Sequence, residues 1–424
     1  MYEISVIGLG YVGLPLAVEF SKYYKTIGYD INSKRIEELN NYLDITLEIS
    51  KKELKNVLTK KNENLTGLFL SNDLDSTKNS NIYIITVPTP IDSSKKPNLN
   101  HLIKASTDIS KFIKKNDIII YESTVYPGAT EEICVPILEK HSKLKFNSEF
   151  FVGYSPERIN PGDKKRKISK IIKVTSGSTK ETATKVNNLY KKIITAGTHL
   201  ASSIKVAEAS KVIENTQRDI NIAFVNELAK IFKLLNINTN DVLQAAKTKW
   251  NFLPFKPGLV GGHCIGIDPY YLADKAQDIG YYPEIILAAR RLNDSMGFFI
   301  SSEVVKEMIK ANIKIKNSNI LVMGVTYKED CPDTRNSKVI DIINKLYEYK
   351  INIDVYDPLA NMNEVKQKFN INIYNTCPSK KYNCILIAVA HKKFLKFDIN
   401  NYKDKNCIIY DVKGILNSSQ NITL

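Results

Sequence analysis

No apolar stretch of this chain approaches the roughly 20 residues that a helix needs to cross a bilayer, so no membrane span is expected. The opening residues, Met1-Tyr2-Glu3-Ile4-Ser5-Val6-Ile7-Gly8, enter a strand pattern at once and leave no room for a signal peptide. A cytoplasmic protein is therefore expected. Cysteine is sparse, six residues at 134, 264, 331, 377, 384 and 407, without a CxxC pair or any Cys/His metal spacing. In a chain of 424 residues this reads as reduced thiols, with no disulfide framework and no metal. Also absent are a zinc finger, an RNP-type aromatic motif and a basic heptad. The formal charge of +15 is thus not read as a nucleic-acid surface, because the basic residues are spread along the chain. The densest cluster, Lys164-Lys165-Arg166-Lys167 after Pro161-Gly162, reads as a solvated loop. A general positive field favours polyanionic small molecules instead.

What is present fits a globular protein with a sizeable core: 43% hydrophobic and 25% charged residues, in a length that suggests two or three domains. The first region, residues 1–200, alternates strand signals (4–8, 26–30, 81–87, 117–122, 150–154) with helical ones (12–23, 34–43, 99–113, 129–140), which implies a parallel sheet covered on both faces. Residues 201–310 change character. A helical pattern from 202 to 235 would extend about 50 Å, enough to connect two domains. Further helical segments follow at 239–246, 270–278 and 283–310, around a Gly- and Pro-dense loop from 250 to 269. In residues 311–424 the strand-helix rhythm resumes, with strands at 320–325, 352–356, 384–389 and 407–411 and helices at 337–349 and 361–369. The expected fold is α/β: two Rossmann-like doubly wound domains joined by a long central helix and a helical middle domain.

Gly8-Leu9-Gly10-Tyr11-Val12-Gly13 follows a strand and opens a helix, the context in which such glycines let backbone approach a pyrophosphate at the helix N-terminus. An ordinary strand-turn-helix corner is the bland alternative. Asp30 ends the second strand, where an acidic side chain accepts hydrogen bonds from an adenosine ribose and repels a 2′-phosphate, pointing to NAD as the cofactor. Thr89 and the pair Ser123-Thr124 follow later strands of the same lobe, at the strand ends that line the ligand crevice of a doubly wound sheet. Elsewhere, Pro257-Gly258-Leu259-Val260-Gly261-Gly262-His263-Cys264-Ile265-Gly266-Ile267-Asp268 surrounds a cysteine with small residues that let a substrate approach its sulfur. A free cysteine is also commonly a small buried hydrophobe. Lys211, Asn215 and Arg218, spaced i, i+4 and i+7, share one helical face, which is either solvated or offers three polar groups to one ligand.

Gly8–Gly13, Glu122–Gly128, Ser155-Pro156-Glu157-Arg158, Gly261–Cys264 and Thr326-Tyr327-Lys328-Glu329-Asp330 through Arg335 occur here in order. Together they make the chain resemble the UDP-glucose/GDP-mannose dehydrogenase family over about residues 2 to 415. The resemblance implies that Cys264 is the nucleophile, Lys211 the acid/base at the C6 oxygen and Asn215 a holder of oxygen charge. It makes Glu157 a water-activating base, with Asp268 ordering the hydrolytic water or pairing with Lys211, and adds Thr124 to the catalytic set. Arg158, Ile159, Arg218, Gly261, Tyr327 and Lys328 would contact a UDP-sugar substrate, alongside Glu157, Lys211 and Asn215. Gly8, Gly10, Tyr11, Val12, Gly13, Asp30, Arg35, Thr89, Ser123, Thr124 and Arg335 would hold NAD. Arg335 would complete a site shared between subunits of a homodimer or higher homo-oligomer.

The stretch His263-Cys264-Ile265-Gly266-Ile267-Asp268-Pro269-Tyr270-Tyr271 is similar to the branch acting on UDP-N-acetylhexosamines. Lys249-Trp250-Asn251 stands where UDP-N-acetylmannosamine relatives carry His-Pro-Arg, which favours UDP-GlcNAc or UDP-GalNAc over UDP-ManNAc and UDP-glucose. The product would be a uronic acid for a bacterial surface polysaccharide such as capsule. Two rivals are a silent NAD-binding scaffold and a cysteine-dependent aldehyde dehydrogenase. The first would have lost at least one of Cys264, Lys211 and Asp268, and the second fits the three-region organisation poorly. A serine at 264 keeps the size but is scarcely ionised at neutral pH. Cys264→Ser should therefore lower turnover by orders of magnitude in a steady-state NADH assay, while Cys134→Ser and Cys407→Ser stay close to wild type. Full activity of Cys264→Ser, with two NADH per sugar, would refute the covalent route.

Overall fold

Runs such as Tyr83-Ile84-Ile85 and Ile118-Ile119-Ile120-Tyr121 place apolar side chains on both sides of an extended chain, so strands built from them must be covered on both faces. The computed structural model describes residues 2–60, 65–92, 94–159, 166–262, 264–416 and 421–424. His263 and the Lys164-Lys165 half of the basic cluster lie outside the described residues. The chain divides into two units, Met1–Glu214 with Tyr270–Gly280, and Asn215–Pro269 with Tyr281–Leu424.

The first unit is built on eight strands: β1 (Glu3–Ile7), β2 (Lys25–Tyr29), β3 (Gly67–Ser71), β4 (Ile82–Ile85), β5 (Ile118–Tyr121), β6 (Phe151–Tyr154), β7 (Lys173–Gly177) and β8 (Thr198–Leu200). They lie in the order β3-β2-β1-β4-β5-β6-β7-β8, parallel except for the antiparallel β6·β7 pair. The helices are α1 (Gly13–Ser21), α2 (Ser33–Asn40), α3 (Lys51–Val57), α4 (Asn100–Ile109), α5 (Val135–Ser142) and α6 (Lys180–Lys191). Ile4, Val6, Ile84 and Ile120 pack on one face with Leu14, Ala17 and Val18 of α1. Ile7, Tyr83, Ile85 and Ile119 pack on the other with Leu102, Ala105 and Ile109 of α4. The strand order reverses between β1 and β4, the switch point at which doubly wound sheets bind ligands.

Sequence patterning misses α3, β3, β7, α6 and β8, and β7 shows why. Its residues, Lys-Val-Thr-Ser-Gly, read as polar surface, yet the first four are buried. Each polar side chain has an internal partner: Thr175 donates to Asn187 Oδ1 at 3.0 Å and Ser176 to the Tyr154 carbonyl at 2.8 Å. Buried polar groups are tolerated where they are hydrogen-bonded, and a hydropathy pattern cannot register that.

A single helix, α7 (Ile204–Leu234), runs for 31 residues from the first unit into the second, close to the expected 202–235. It is followed by α8 (Thr239–Lys247), α9 (Asp268–Asp278) and α10 (Glu284–Lys310). In the second unit α7 and α10 are joined by a buried polar cluster. Arg290 Nη1 donates to Asp219 Oδ1 at 2.6 Å, and Asn293 bridges Asp219 and Asn226. Removing either partner of such a buried ion pair costs about 3–5 kcal/mol, because the other charge is left uncompensated. The second sheet contains β9 (Asn319–Met323), β10 (Asn352–Tyr356), β11 (Ile373–Tyr374), β12 (Tyr382–Ile387), β13 (Lys403–Asp411) and β14 (Ile422–Thr423) in the order β11-β10-β9-β12-β13-β14, all parallel. Ile320 and Val322 pack with Met296, Ile300 and Val304 of α10 and with Ile342 and Leu346 of α11 (Val339–Glu348). Leu321 and Met323 face Phe394 and Ile409. The last helix is α12 (Met362–Phe369). Among the described residues, no helix is long and apolar enough to cross a membrane.

Candidate functional site

The turn between β1 and α1 closes around its glycines. Gly8 sits at φ +95°, where side chains are disfavoured, and donates its N–H to the Tyr29 carbonyl at 2.8 Å. A Cβ on Gly13 would stand 1.8 Å from the Gly8 carbonyl oxygen and 2.4 Å from Thr86 Oγ1. A Cβ on Gly10 would meet no atom of the described residues within 4 Å, so that side of the turn is open to a ligand. Tyr11 and Val12 lie half-buried where α1 begins. Asp30 accepts the Leu9 N–H at 2.8 Å through Oδ2 and the Asn32 N–H at 2.9 Å through Oδ1, which fixes its carboxylate beside the turn.

Arg35 is buried. Its Nε donates to the Leu9 carbonyl at 3.0 Å and its Nη2 to Asp44 Oδ1 at 2.8 Å, while Nη1 makes no hydrogen bond among the described residues. It braces the glycine turn from below and keeps one donor in reserve. The loops after β4 and β5 are tied together: Thr89 donates to the Thr124 carbonyl at 2.7 Å, and Ser123 to the Val87 carbonyl at 2.6 Å. Tyr271 of α9 donates to the Thr89 carbonyl at 2.7 Å. Thr124 is half-buried beside them.

After β6, Glu157 is buried, with Oε1 accepting the N–H groups of Arg158 at 2.6 Å and of Ile159 at 2.5 Å. Arg158 turns its guanidinium to Glu214 of α7 and donates Nη1 to the Ile172 carbonyl at 2.9 Å, and Ile159 is half-buried. Lys211 of α7 is buried at 7% exposure. Glu208, one turn earlier, accepts the N–H groups of Gly128 at 2.5 Å and Thr130 at 2.9 Å, and burial pushes its carboxyl up to about 7. It anchors the Glu122–Gly128 loop to the helix that carries Lys211. Sequence reasoning overlooked Glu208; its i, i+3 spacing from Lys211 was the available signal.

In the second unit Cys264 is half-buried and not in a disulfide. Its carbonyl accepts the N–H groups of Ile267 at 3.0 Å and Asp268 at 2.9 Å, so the cysteine opens the turn that feeds α9. Gly262, at φ +83°, lies under the Tyr327 ring, which a Cβ there would approach to 2.7 Å. A Cβ on Gly261 would come within 2.6 Å of the Asn336 carbonyl oxygen. Asn336 donates to the Gly262 carbonyl at 3.1 Å. Upstream, Asn226 of α7 pairs with both backbone groups of Gly258, at 2.7 and 3.0 Å. Asn215 donates to Asp268 Oδ2 at 2.6 Å, joining two of the expected residues, while Arg218 is exposed. Lys328 holds its ammonium 5.4 Å from the Tyr327 ring centre, and Arg335 clasps Asp333 through Nε at 2.9 Å and Nη2 at 2.6 Å.

The same regions match known proteins. The NAD binding domain of the UDP-glucose/GDP-mannose dehydrogenase family matches residues 2–194, its central domain 205–295 and its UDP binding domain 321–418. The chain belongs to this family. It is an NAD-dependent dehydrogenase, and it is 54% identical, over 99% of its length and 98% of the relative's, to a UDP-N-acetyl-D-glucosamine 6-dehydrogenase of Pseudomonas aeruginosa. It is 52% identical to protein CapL of Staphylococcus aureus over 99% and 97% of the two chains. Among solved structures, a UDP-D-ManNAc dehydrogenase from Pyrococcus horikoshii superposes with a TM-score of 0.87 at 29% identity, covering 99% and 98%.

The residues of the first unit fit a dinucleotide: an open side at Gly10, a helix N-terminus for phosphate, the Asp30 carboxylate and the reserve donor of Arg35. The second unit repeats the turn with a different outcome. Gly324, at φ +88°, donates to the Tyr356 carbonyl at 2.8 Å, and Val325 donates to Asp357 Oδ2 at 2.7 Å, as Gly8 and Leu9 do to Tyr29 and Asp30. Asp357, however, is fully buried beneath His391, whose Nε2 lies 3.2 Å from the same carboxylate oxygen. Because Asp30 would oppose a 2′-phosphate in a partly desolvated setting, catalytic efficiency with NAD should exceed that with NADP by about tenfold or more, about 1.4 kcal/mol. Asp30→Asn should narrow the gap, and equal efficiencies in the wild type would refute this role.

Proposed function

We propose that the protein oxidises the C6 hydroxyl of a UDP-N-acetylhexosamine, UDP-GlcNAc or UDP-GalNAc, to a carboxylate through a thioester on Cys264. The observation that carries this reading is the end-to-end 54% identity to a UDP-N-acetyl-D-glucosamine 6-dehydrogenase. On this reading residues 1–200 bind NAD, 201–310 carry the central helix and the cysteine loop, and 311–424 bind the nucleotide-sugar. The product serves surface polysaccharide biosynthesis in the cytoplasm.

The Gly8–Gly13 turn, Asp30 and Arg35 would hold NAD, which when bound would supply the hydride acceptor for each of the two oxidations at C6. Lys211 takes the proton of the C6 hydroxyl, directly or through an ordered water, and Asn215 steadies the charge that develops on that oxygen. Cys264 sulfur adds to the resulting aldehyde, giving a thiohemiacetal whose oxidation leaves the thioester. Glu157, assisted by Asp268, removes a proton from the water that releases the acid. The 2.6 Å contact from Asn215 to Asp268 supports a shared role for this pair, since each fixes the orientation of the other. Arg158, Arg218, Tyr327 and Lys328 bind the nucleotide-sugar, and Thr124 lies with Ser123 and Thr89 along the cofactor.

A homodimer fits the surface of α7, where Val206, Ile213, Phe224 and Ile231 are 47%, 52%, 53% and 44% exposed. Apolar side chains repeated along one helix favour burial against a symmetry mate, and Arg335 would then complete the partner's site. Sedimentation at micromolar concentration should give at least twice the chain mass of 48.0 kDa, and a monomer alone would overturn the assembly.

The activity itself is tested by supplying NAD with UDP-Glc, UDP-GlcNAc, UDP-GalNAc or UDP-ManNAc. Two NADH per sugar, with an N-acetylhexosamine of gluco or galacto configuration preferred, is the expected result. One NADH would indicate an aldehyde dehydrogenase and none a scaffold, and preference for UDP-ManNAc or UDP-Glc would overturn the substrate assignment.

A further inference from the structure

Behind Glu157 lies a buried ion cluster that the mechanism above leaves unused. β7 begins with Lys173, whose side chain is 3% exposed. Its three N–H bonds have three acceptors: Glu122 Oε2 at 2.6 Å, the Pro156 carbonyl at 3.0 Å and Glu157 Oε2 at 3.4 Å. Tyr190 of α6 donates its hydroxyl to the other Glu122 oxygen and places its ring 5.5 Å from the Lys173 ammonium. Glu157 is therefore held at one oxygen by the backbone of Arg158 and Ile159 and at the other by Lys173.

One ammonium serves two carboxylates, and it serves them unequally. The closer, Glu122, is fully buried; desolvation pushes its carboxyl up, while Lys173 and the Tyr190 hydroxyl pull it back toward the ionised form. An ammonium devoted to Glu157 alone would pin that carboxylate as an ion pair and weaken it as a base. With no ammonium, the carboxylate would lose both its orientation and the charge that favours its ionised form. Arg158, the next residue in the chain, is turned to Glu214.

We infer that Lys173, shared with Glu122, is the positioning residue that aims Glu157 and sets the positive charge it feels during thioester hydrolysis. This rests on the reading of Glu157 as the water-activating base. In that step the water oxygen bonds to the thioester carbonyl carbon and a water proton passes to Glu157. The C–S bond then breaks with its electron pair on the Cys264 sulfur, and nothing is oxidised or reduced. Glu122→Gln leaves the whole ammonium to Glu157, stabilises its carboxylate and moves the acid limb of the rate profile to lower pH. Lys173→Met removes the charge and moves that limb to higher pH.

The test uses the full chain with NAD and UDP-GlcNAc, reading the pH profile of kcat and, after acid quench, the mass of acyl-enzyme on Cys264. The two variants should shift the acid limb in opposite directions by about one pH unit. Lys173→Met should accumulate acyl-enzyme as Glu157→Gln does, and Lys173→Arg should restore much of the release rate. A purely structural role would lower the melting temperature without opposed limb shifts. If Lys173→Met does not fold, the isosteric Glu122→Gln shift still decides. Unmoved limbs and no acyl-enzyme in these variants, with acyl-enzyme in Glu157→Gln, overturn the inference and leave the base assignment standing. Wild-type turnover in Glu157→Gln overturns the base assignment and the inference with it.

Discussion

Much of the first unit depends on one steric constraint, the closure of the turn between β1 and α1. With a Gly13 Cβ position only 1.8 Å from the Gly8 carbonyl oxygen, the helix can start where it does only if residue 13 has no side chain. That approach aims the N-terminus of α1 past Gly10 and brings the Leu9 N–H to Asp30 and its carbonyl to Arg35. Thr86 donates to the carbonyls of both Ile7 and Gly8, so β4 is locked to the same turn. Cofactor geometry thus follows from backbone packing first and from side-chain chemistry second.

The second unit achieves comparable precision by polar means. The cysteine loop is rich in glycine and proline and has little regular structure of its own. Asn226 supplies what a neighbouring strand would otherwise supply, pairing with both backbone groups of Gly258. Asn293, Asp219 and Arg290 hold that amide in turn. At the far end Tyr327 and Asn336 cover Gly261 and Gly262. The irregular loop that carries Cys264, the proposed nucleophile, is in this way held by groups anchored on two helices and a sheet.

The glycine turn, the parallel sheets and the long helix were legible in the sequence because each is written in a local pattern: glycine spacing, apolar runs, a 3.6-residue period. β7 was not, because its buried lysine, threonine and serine look like surface until their partners are known. Glu208 and Lys173 escaped for the same reason, since a buried charge betrays itself only through what surrounds it. Arg35, expected at the cofactor, braces the glycine turn and Asp44 with two of its nitrogens and leaves Nη1 over for a ligand, a division of its donors that sequence does not show. Asn215 and Asp268 are 53 positions apart, and the contact between them appears only in three dimensions.

The duplicated glycine-aspartate turn has a kinetic consequence. The two sheets share one design, but Asp30 faces outward while Asp357 is sealed beneath His391. On the proposed reading, with Asp30 the one open ribose acceptor of the two turns among the described residues, the chain seats one dinucleotide at a time, so a four-electron oxidation divides into two tenancies of the same seat. The reduced tenant must depart while the half-oxidised sugar stays, and departure rather than chemistry then becomes a natural place for the overall rate to be set.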